Sequence, residues 1–238
     1  MNKGWTLLVI VVSCLGIGGL LAGCATSAGP GLADDGRTFT SLFDGETLNG
    51  WNAYEGTSIV ENSTRWSVEN GVIKGTKIVD PKTDERCGNV CDNTWLVSDR
   101  QYSDFVLRFK FRILNGNSGF TYRSIIGAEA LNSPEVDLAK DGDTTGQIYV
   151  TTTINNDYLH KDYLTTVDPD QLKSAFKLEG FNQMEVQLKG MNVKVYLNGT
   201  QITDFNHDAA SDAGRTRGFI AMELHQLTAA EFKDIEIL

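Results

Sequence analysis

Apolar residues recur at every second position through most of the chain, the period of a half-buried strand. In DFVLRFKFRI, Phe105, Leu107, Phe109, Phe111 and Ile113 share one face, while Arg108, Lys110 and Arg112 share the other. QMEVQLKG repeats the pattern with Met184, Val186 and Leu188, and NVKVYL with Val193, Val195 and Leu197. The Asn198–Gly199 pair that follows is a hairpin turn signal, because both residues tolerate positive φ. RGFIAMELH and AAEFKDIEIL predict two further strands. Helical periodicity is confined to a short piece near DPDQLKSAF (168–176), capped by Asp168 or Asp170. A dozen or so strands with no β-α-β rhythm predict an all-β fold, an antiparallel sandwich of two sheets.

Three of these strands carry more than an apolar row. Alternation from Asn117 sends Asn117, Gly119, Thr121 and Arg123 to one face, and Ser118, Phe120 and Tyr122 to the other. PEVDLA puts Glu135 and Asp137 together, and FIAMELH puts Glu223 with His225. If the three strands are neighbours, an arginine, three carboxylates and a histidine converge on one surface. Clustered carboxylates drive their pKa values apart and can supply both an acid and a base. The bland alternative is that such rows are simply the solvated side of a sheet.

The 238 residues carry a formal charge of −10, which argues against a general polyanion binder, since phosphate contact needs a basic patch. Twenty-four glycines against four prolines suit many tight turns. The first 23 residues, MNKGWTLLVIVVSCLGIGGLLAG, have an early lysine and an apolar run, and with Cys24 they end in LAGC. That is the form of a lipoprotein signal peptide, so Cys24 is expected to become the lipidated first residue at an extracytoplasmic membrane surface. Residues 24–38 read as a flexible tether and 39–238 as the folded domain. Cys87 and Cys91, in CGNVC, are expected to form a local disulfide outside the cytosol.

The stretches FTSLFDGETLNGW (39–51), WSVENGVIKG (66–75), YSDFVLRFKFRILNGNSGFTYR (102–123), PEVDLAKDGDTTGQIYV (134–150), FNQMEVQLKGMNVKVYLNGTQITDF (181–205) and GFIAMELHQLTAAEFKDIEIL (218–238) resemble, in order, the bacterial 3-keto-disaccharide hydrolase family. The opening LFDG-x4-GW and the NSG-x3-R segment are the most specific. The resemblance implies a concanavalin- or laminin-G-like jelly roll. It also implies an extracytoplasmic enzyme acting on sugars already oxidised at C3 by a partner dehydrogenase. Asn117 and Arg123 match the family's NSG-x3-R, Glu135 its E-x-Q glutamate and His225 its L-Q-x-H histidine. On that basis Glu135 or His225 is expected as base or acid, with Arg123 polarising the carbonyl and Asn117, Asp137 and Glu223 contacting substrate.

Two positions depart from the family pattern. Asp137 and Glu223 stand where it commonly carries glutamine, so the expected site gains two carboxylates. With Glu135 these could bind a divalent cation such as Ca²⁺ or Mn²⁺, or they could mark a different substrate or lost catalysis. Elsewhere Trp51 and Trp66 read as core, Trp95 as ambiguous between core and sugar stacking, and His160 and His207 as solvated loop residues. DGDTTG (141–146) reads as a turn, because Thr152 stands where an EF-hand needs glutamate. NST (62–64) and NGT (198–200) are glycosylation sequons only on a eukaryotic secretory route, which LAGC argues against. The rival functions are a non-catalytic carbohydrate-binding module and a surface interaction domain on the same scaffold.

Overall fold

The alternating segments become strands that pair almost entirely antiparallel across the chain. The computed structural model describes residues 36–56, 58–77, 94–127, 131–154, 157–210 and 215–238, with backbone only over 151–162. Cys24, Cys87 and Cys91 lie outside the described residues, as does the first part of the 24–38 tether. Among the described residues no helix is long and apolar enough to cross a membrane.

In chain order the elements are β1 (Thr40–Ser41), β2 (Trp51–Glu55), β3 (Ser58–Ile59), β4 (Trp66–Glu69), β5 (Val72–Lys77), β6 (Thr94–Tyr102) and β7 (Phe105–Asn115). Then come β8 (Asn117–Ile126), β9 (Leu131–Ala139), β10 (Ile148–Ile154), β11 (Asp157–Tyr163), α1 (Pro169–Ala175) and β12 (Asn182–Lys189). The last are β13 (Asn192–Leu197), β14 (Thr200–Asn206), β15 (Gly218–Leu224) and β16 (Thr228–Ile237).

One sheet runs β14-β13-β12-β7-β16-β5-β4, with β1 added on β16. The other runs β11-β10-β9-β8-β15-β6-β2-β3. The expected two-sheet antiparallel sandwich is therefore the fold.

Each sheet presents its apolar row inward. Phe105, Leu107, Phe109, Phe111 and Ile113 of β7 pack in one core with Met184, Val186 and Leu188. Phe120, Tyr122, Val136, Leu138, Ile220, Met222 and Leu224 of the second sheet join them. The charged row of β7 faces outward and is paired across strands, Arg108 with Glu185 and Arg112 with Glu231. The Asn198–Gly199 turn has φ of 49° and 87°, the primed geometry that suits a two-residue hairpin. Asp168 caps α1, its Oδ1 accepting from the Gln171 amide at 2.8 Å. Trp51 and Trp66 are core residues, as expected.

Two expectations fail. His160 sits on strand β11, not in a loop. His207 is not solvated: it is buried at the end of β14, with Nε2 2.7 Å from the Tyr122 hydroxyl and Nδ1 without a partner. His207 packs against Phe205 of β14 and against Tyr122 of β8, and the second contact is not legible in local sequence.

Candidate functional site

Strands β9, β8 and β15 lie side by side in the second sheet, so their polar rows meet on its outer face. Gly119 stands opposite Asp137 and Thr121 opposite Glu135, while Thr121 also faces Ala221 on β15. Glu135, Asp137 and Glu223 are 7%, 2% and 4% exposed, so this row is not a solvated face.

Gly119 is what lets the carboxylates meet. A Cβ there would lie 2.4 Å from Glu135 Oε1 and 2.7 Å from its Cδ. The Glu135 carboxyl therefore occupies the space above the missing side chain and hydrogen-bonds Glu223 from across β8. Burial, then the neighbouring Glu223 and Asp137 charges, push the Glu135 pKa well above its ordinary value. Two carboxyls in one hydrogen bond hold a proton between them.

Asp137 is held differently. Its Oδ1 accepts from Asn117 Nδ2 at 2.6 Å and from the Leu138 amide at 2.9 Å, and its Oδ2 accepts from the Tyr163 hydroxyl at 2.7 Å. Burial raises its pKa, while donors from Tyr163, Thr144, Asn117 and Leu138 pull the other way.

Aromatic residues flank the carboxylates on both sides. Tyr149 lies opposite Glu135 and packs against Tyr163, with ring centroids 5.0 Å apart. Trp95 lies opposite Glu223 and beside Tyr54. Trp95, Val97, Leu131 and Ala221 form a second apolar cluster outside the main core. This wall lowers the local dielectric and explains why burial dominates the Glu135 shift. The ambiguity over Trp95 resolves to this outer cluster. Tyr54, Tyr149 and Tyr163 are not legible in the sequence, because their places beside the carboxylates follow from the registers between strands.

Arg123 is not among the residues brought together. Between Thr121 and Ile125, β8 carries an extra residue relative to β9, and Arg123 has a φ of 49°. This bulge breaks the alternation and turns the side chain out of the polar row. Its guanidinium is wholly buried and donates to the Arg215 carbonyl at 3.0 Å and to Asp104 Oδ1 at 3.1 Å, with longer contacts to the Ser103 carbonyl. Gly218 accommodates the bulge, since a Cβ there would meet Arg123 backbone atoms at 2.3–2.7 Å. His225 stands one residue beyond the end of β15 and is half-buried.

The expected cation does not fit these residues. Asp137 has both oxygens engaged by protein donors, and Glu135 and Glu223 bond each other. Among the described residues no group of three His, Cys, Asp or Glu is arranged to hold a metal ion.

A two-sheet antiparallel sandwich in this order, with ionisable groups on one outer face, defines a jelly-roll domain. The chain belongs to the 3-keto-α-glucoside-1,2-lyase-like domain family, whose profile matches residues 38–238. No curated protein matches it in sequence. In fold it is similar to two candidate glycosyl hydrolases from Parabacteroides distasonis. One is 22% identical with a TM-score of 0.56, over 84% of this chain and 92% of that one. The other is 20% identical with a TM-score of 0.55, over 85% and 99%. A Bacillus subtilis protein of unknown function with a galectin-like fold is 11% identical, with a TM-score of 0.52 over 80% and 89%.

Proposed function

We propose that the chain is a carbohydrate-active enzyme that cleaves 3-keto-glycosides by elimination and hydration. The observation that carries this reading is the Glu135–Glu223 carboxyl pair, buried against aromatic residues above Gly119. Family membership supports the substrate class.

The chemistry follows from the ketone. A carbonyl at C3 acidifies the hydrogen on C2. A base removes that proton, and the C–H electrons form an enolate with its charge on the C3 oxygen. The enolate re-forms the carbonyl, making the C1–C2 double bond and expelling the C1 oxygen, which takes a proton as it leaves. Water then adds at C1 and a proton returns to C2.

A carboxyl pair sharing one proton has both partners this sequence needs: one oxygen to accept and one proton to give. The raised Glu135 pKa makes its ionised form a stronger base than an ordinary glutamate. Asp137, fixed by Asn117 and Tyr163, helps hold the Glu135 pKa up. In this reading His225, one residue beyond the end of β15, serves as a second proton carrier. Arg123 leaves it, because its donors are engaged elsewhere. We further place the domain outside the cytoplasm, anchored by lipid on Cys24, which metabolic labelling with palmitate and its loss in Cys24→Ala would test.

The deciding assay mixes the protein with a nitrophenyl α-glucoside oxidised at C3 and follows nitrophenol release. Turnover at least 100-fold slower in Glu135→Gln and Glu223→Gln, with no cleavage of the unoxidised glucoside, is the expected result. Wild-type rates in both variants would overturn the reading. Saturable binding without release would instead make the domain a carbohydrate-binding module.

A further inference from the structure

A second concavity lies away from the carboxylates, where β6 departs from regular pairing. Phe219 pairs with Gln101 and Ala221 with Val97, so Ser98, Asp99 and Arg100 stand opposite the single residue Ile220. This bulge of two extra residues opens a cavity of about 260 Å³ against β1 and the turn before β2. Its lining includes Thr40, Asn49, Trp51, Asp99, Arg100 and Tyr102.

The bulge is internally satisfied. Ser98 Oγ donates to the Arg100 carbonyl at 2.7 Å and accepts from the Ile220 amide at 3.2 Å, and the Asp99 amide donates to the Gly50 carbonyl at 2.9 Å. Trp51 is fixed as a wall, since its Nε1 donates to the Leu42 carbonyl at 2.8 Å. The side chains at the mouth are the opposite case. Asp99 and Arg100 approach each other only to 3.9 Å, beyond hydrogen-bond reach, with 51% and 81% of their side chains exposed. Nor do the Asn49 carboxamide or the Thr40 hydroxyl make a side-chain hydrogen bond among the described residues. Bulges of this kind often re-aim side chains at sheet edges and beside binding sites.

We infer that this cavity is a second ligand site, taking one neutral hexose unit of a glycan. Tyr102, packed edge-on against Phe105, offers surface to the apolar face of a pyranose ring, and the buried Trp51 forms the floor beneath it. A carboxylate beside a guanidinium supplies an acceptor for two hydroxyl protons and donors for two hydroxyl oxygens, the complement of a vicinal diol. Their charges cancel, which favours a neutral sugar over a uronate or sugar phosphate. The volume suits a single ring rather than a chain. The ligand class leans on the carbohydrate reading above, but the site involves none of the carboxylates placed in the reaction.

Saturation-transfer difference NMR of the full chain in detergent, with maltose and sucrose as probes, tests this without turnover, because neither sugar is oxidised at C3. Saturable transfer from at least one probe is expected in wild type and equally in Glu135→Gln. Asp99→Ala and Arg100→Ala, at exposed positions that leave the melting temperature unchanged, are expected to weaken it at least fivefold. No saturable transfer in wild type would overturn the inference. So would transfer lost in Glu135→Gln, or transfer unaffected by both mouth substitutions. Loss of nitrophenol release with transfer retained would fault the reaction alone.

Discussion

The carboxyl of Glu135 on β9 reaches over Gly119 of β8 to hydrogen-bond Glu223 of β15. Two consecutive strands and a third from near the end of the chain thus place two acids in one bond, with an aromatic and aliphatic wall beside them. Such a pair ties stability and reactivity to the same proton.

That link has a definite direction with pH. The folded chain binds the Glu135 proton more tightly than the unfolded chain, whose carboxyl titrates near the ordinary 4.5. The pair's contribution to stability is therefore full below that value and is lost as pH rises through the raised folded pKa. Glu135→Gln, which mimics the protonated form, should gain on wild type as pH rises. Thermal melts of both proteins from pH 4 to 9 check this. A difference that is flat, or that moves the other way, removes the shared proton.

Gly119→Ala separates site from scaffold. The added methyl meets the end of a side chain rather than backbone, so the expected stability loss is small, about 1 kcal/mol. The Glu135–Glu223 bond is expected to break, cutting turnover at least tenfold. Urea titration and the nitrophenol assay read the two effects independently.

Tyr163→Phe removes a donor to Asp137 and leaves the ring in place. A hydrogen bond to a charged group is worth about 1.5–3 kcal/mol, and Tyr163 is 40% exposed, so a loss of about 1 kcal/mol is expected. Without this donor the Asp137 pKa should rise, so the deficit should grow with pH. Denaturant midpoints at pH 5 and 8 test both statements.

At the β8 bulge the expected effects fall on stability. Gly218→Ala drives a methyl into the Arg123 backbone, which has no rotamer to yield, at a cost of about 3 kcal/mol. Arg123→Ala leaves the Arg215 carbonyl without its buried donor and should cost about 2 kcal/mol. Below its melting temperature Arg123→Ala should keep wild-type kcat. A loss of kcat with stability intact would return Arg123 to the reaction.

His207 should stay neutral in mildly acidic solution. Burial, then the Arg123 and Arg215 charges, lower its pKa from 6.5 to about 4. The unfolded chain takes up this proton first, so stability is lost as pH falls from 6.5 toward 4. An NMR titration of the imidazole showing a midpoint near 6.5 would contradict the buried contact with Tyr122.

Strand periodicity alone determined the all-β class, the inward apolar rows of β7, β12, β13 and β15, and the Asn198–Gly199 hairpin, because pleat and turn geometry are local. It also put Glu135 with Asp137 on one face, since parity within an unbroken strand needs no partner. Only the tertiary structure decided that β9, β8 and β15 are neighbours, that Gly119 is the space in which two carboxyls meet, and that Tyr163 reaches Asp137. It also decided against Arg123. A single extra residue in β8 reverses the parity that alternation assigns, and a bulge depends on how two strands pair, which neither strand's residues specify alone.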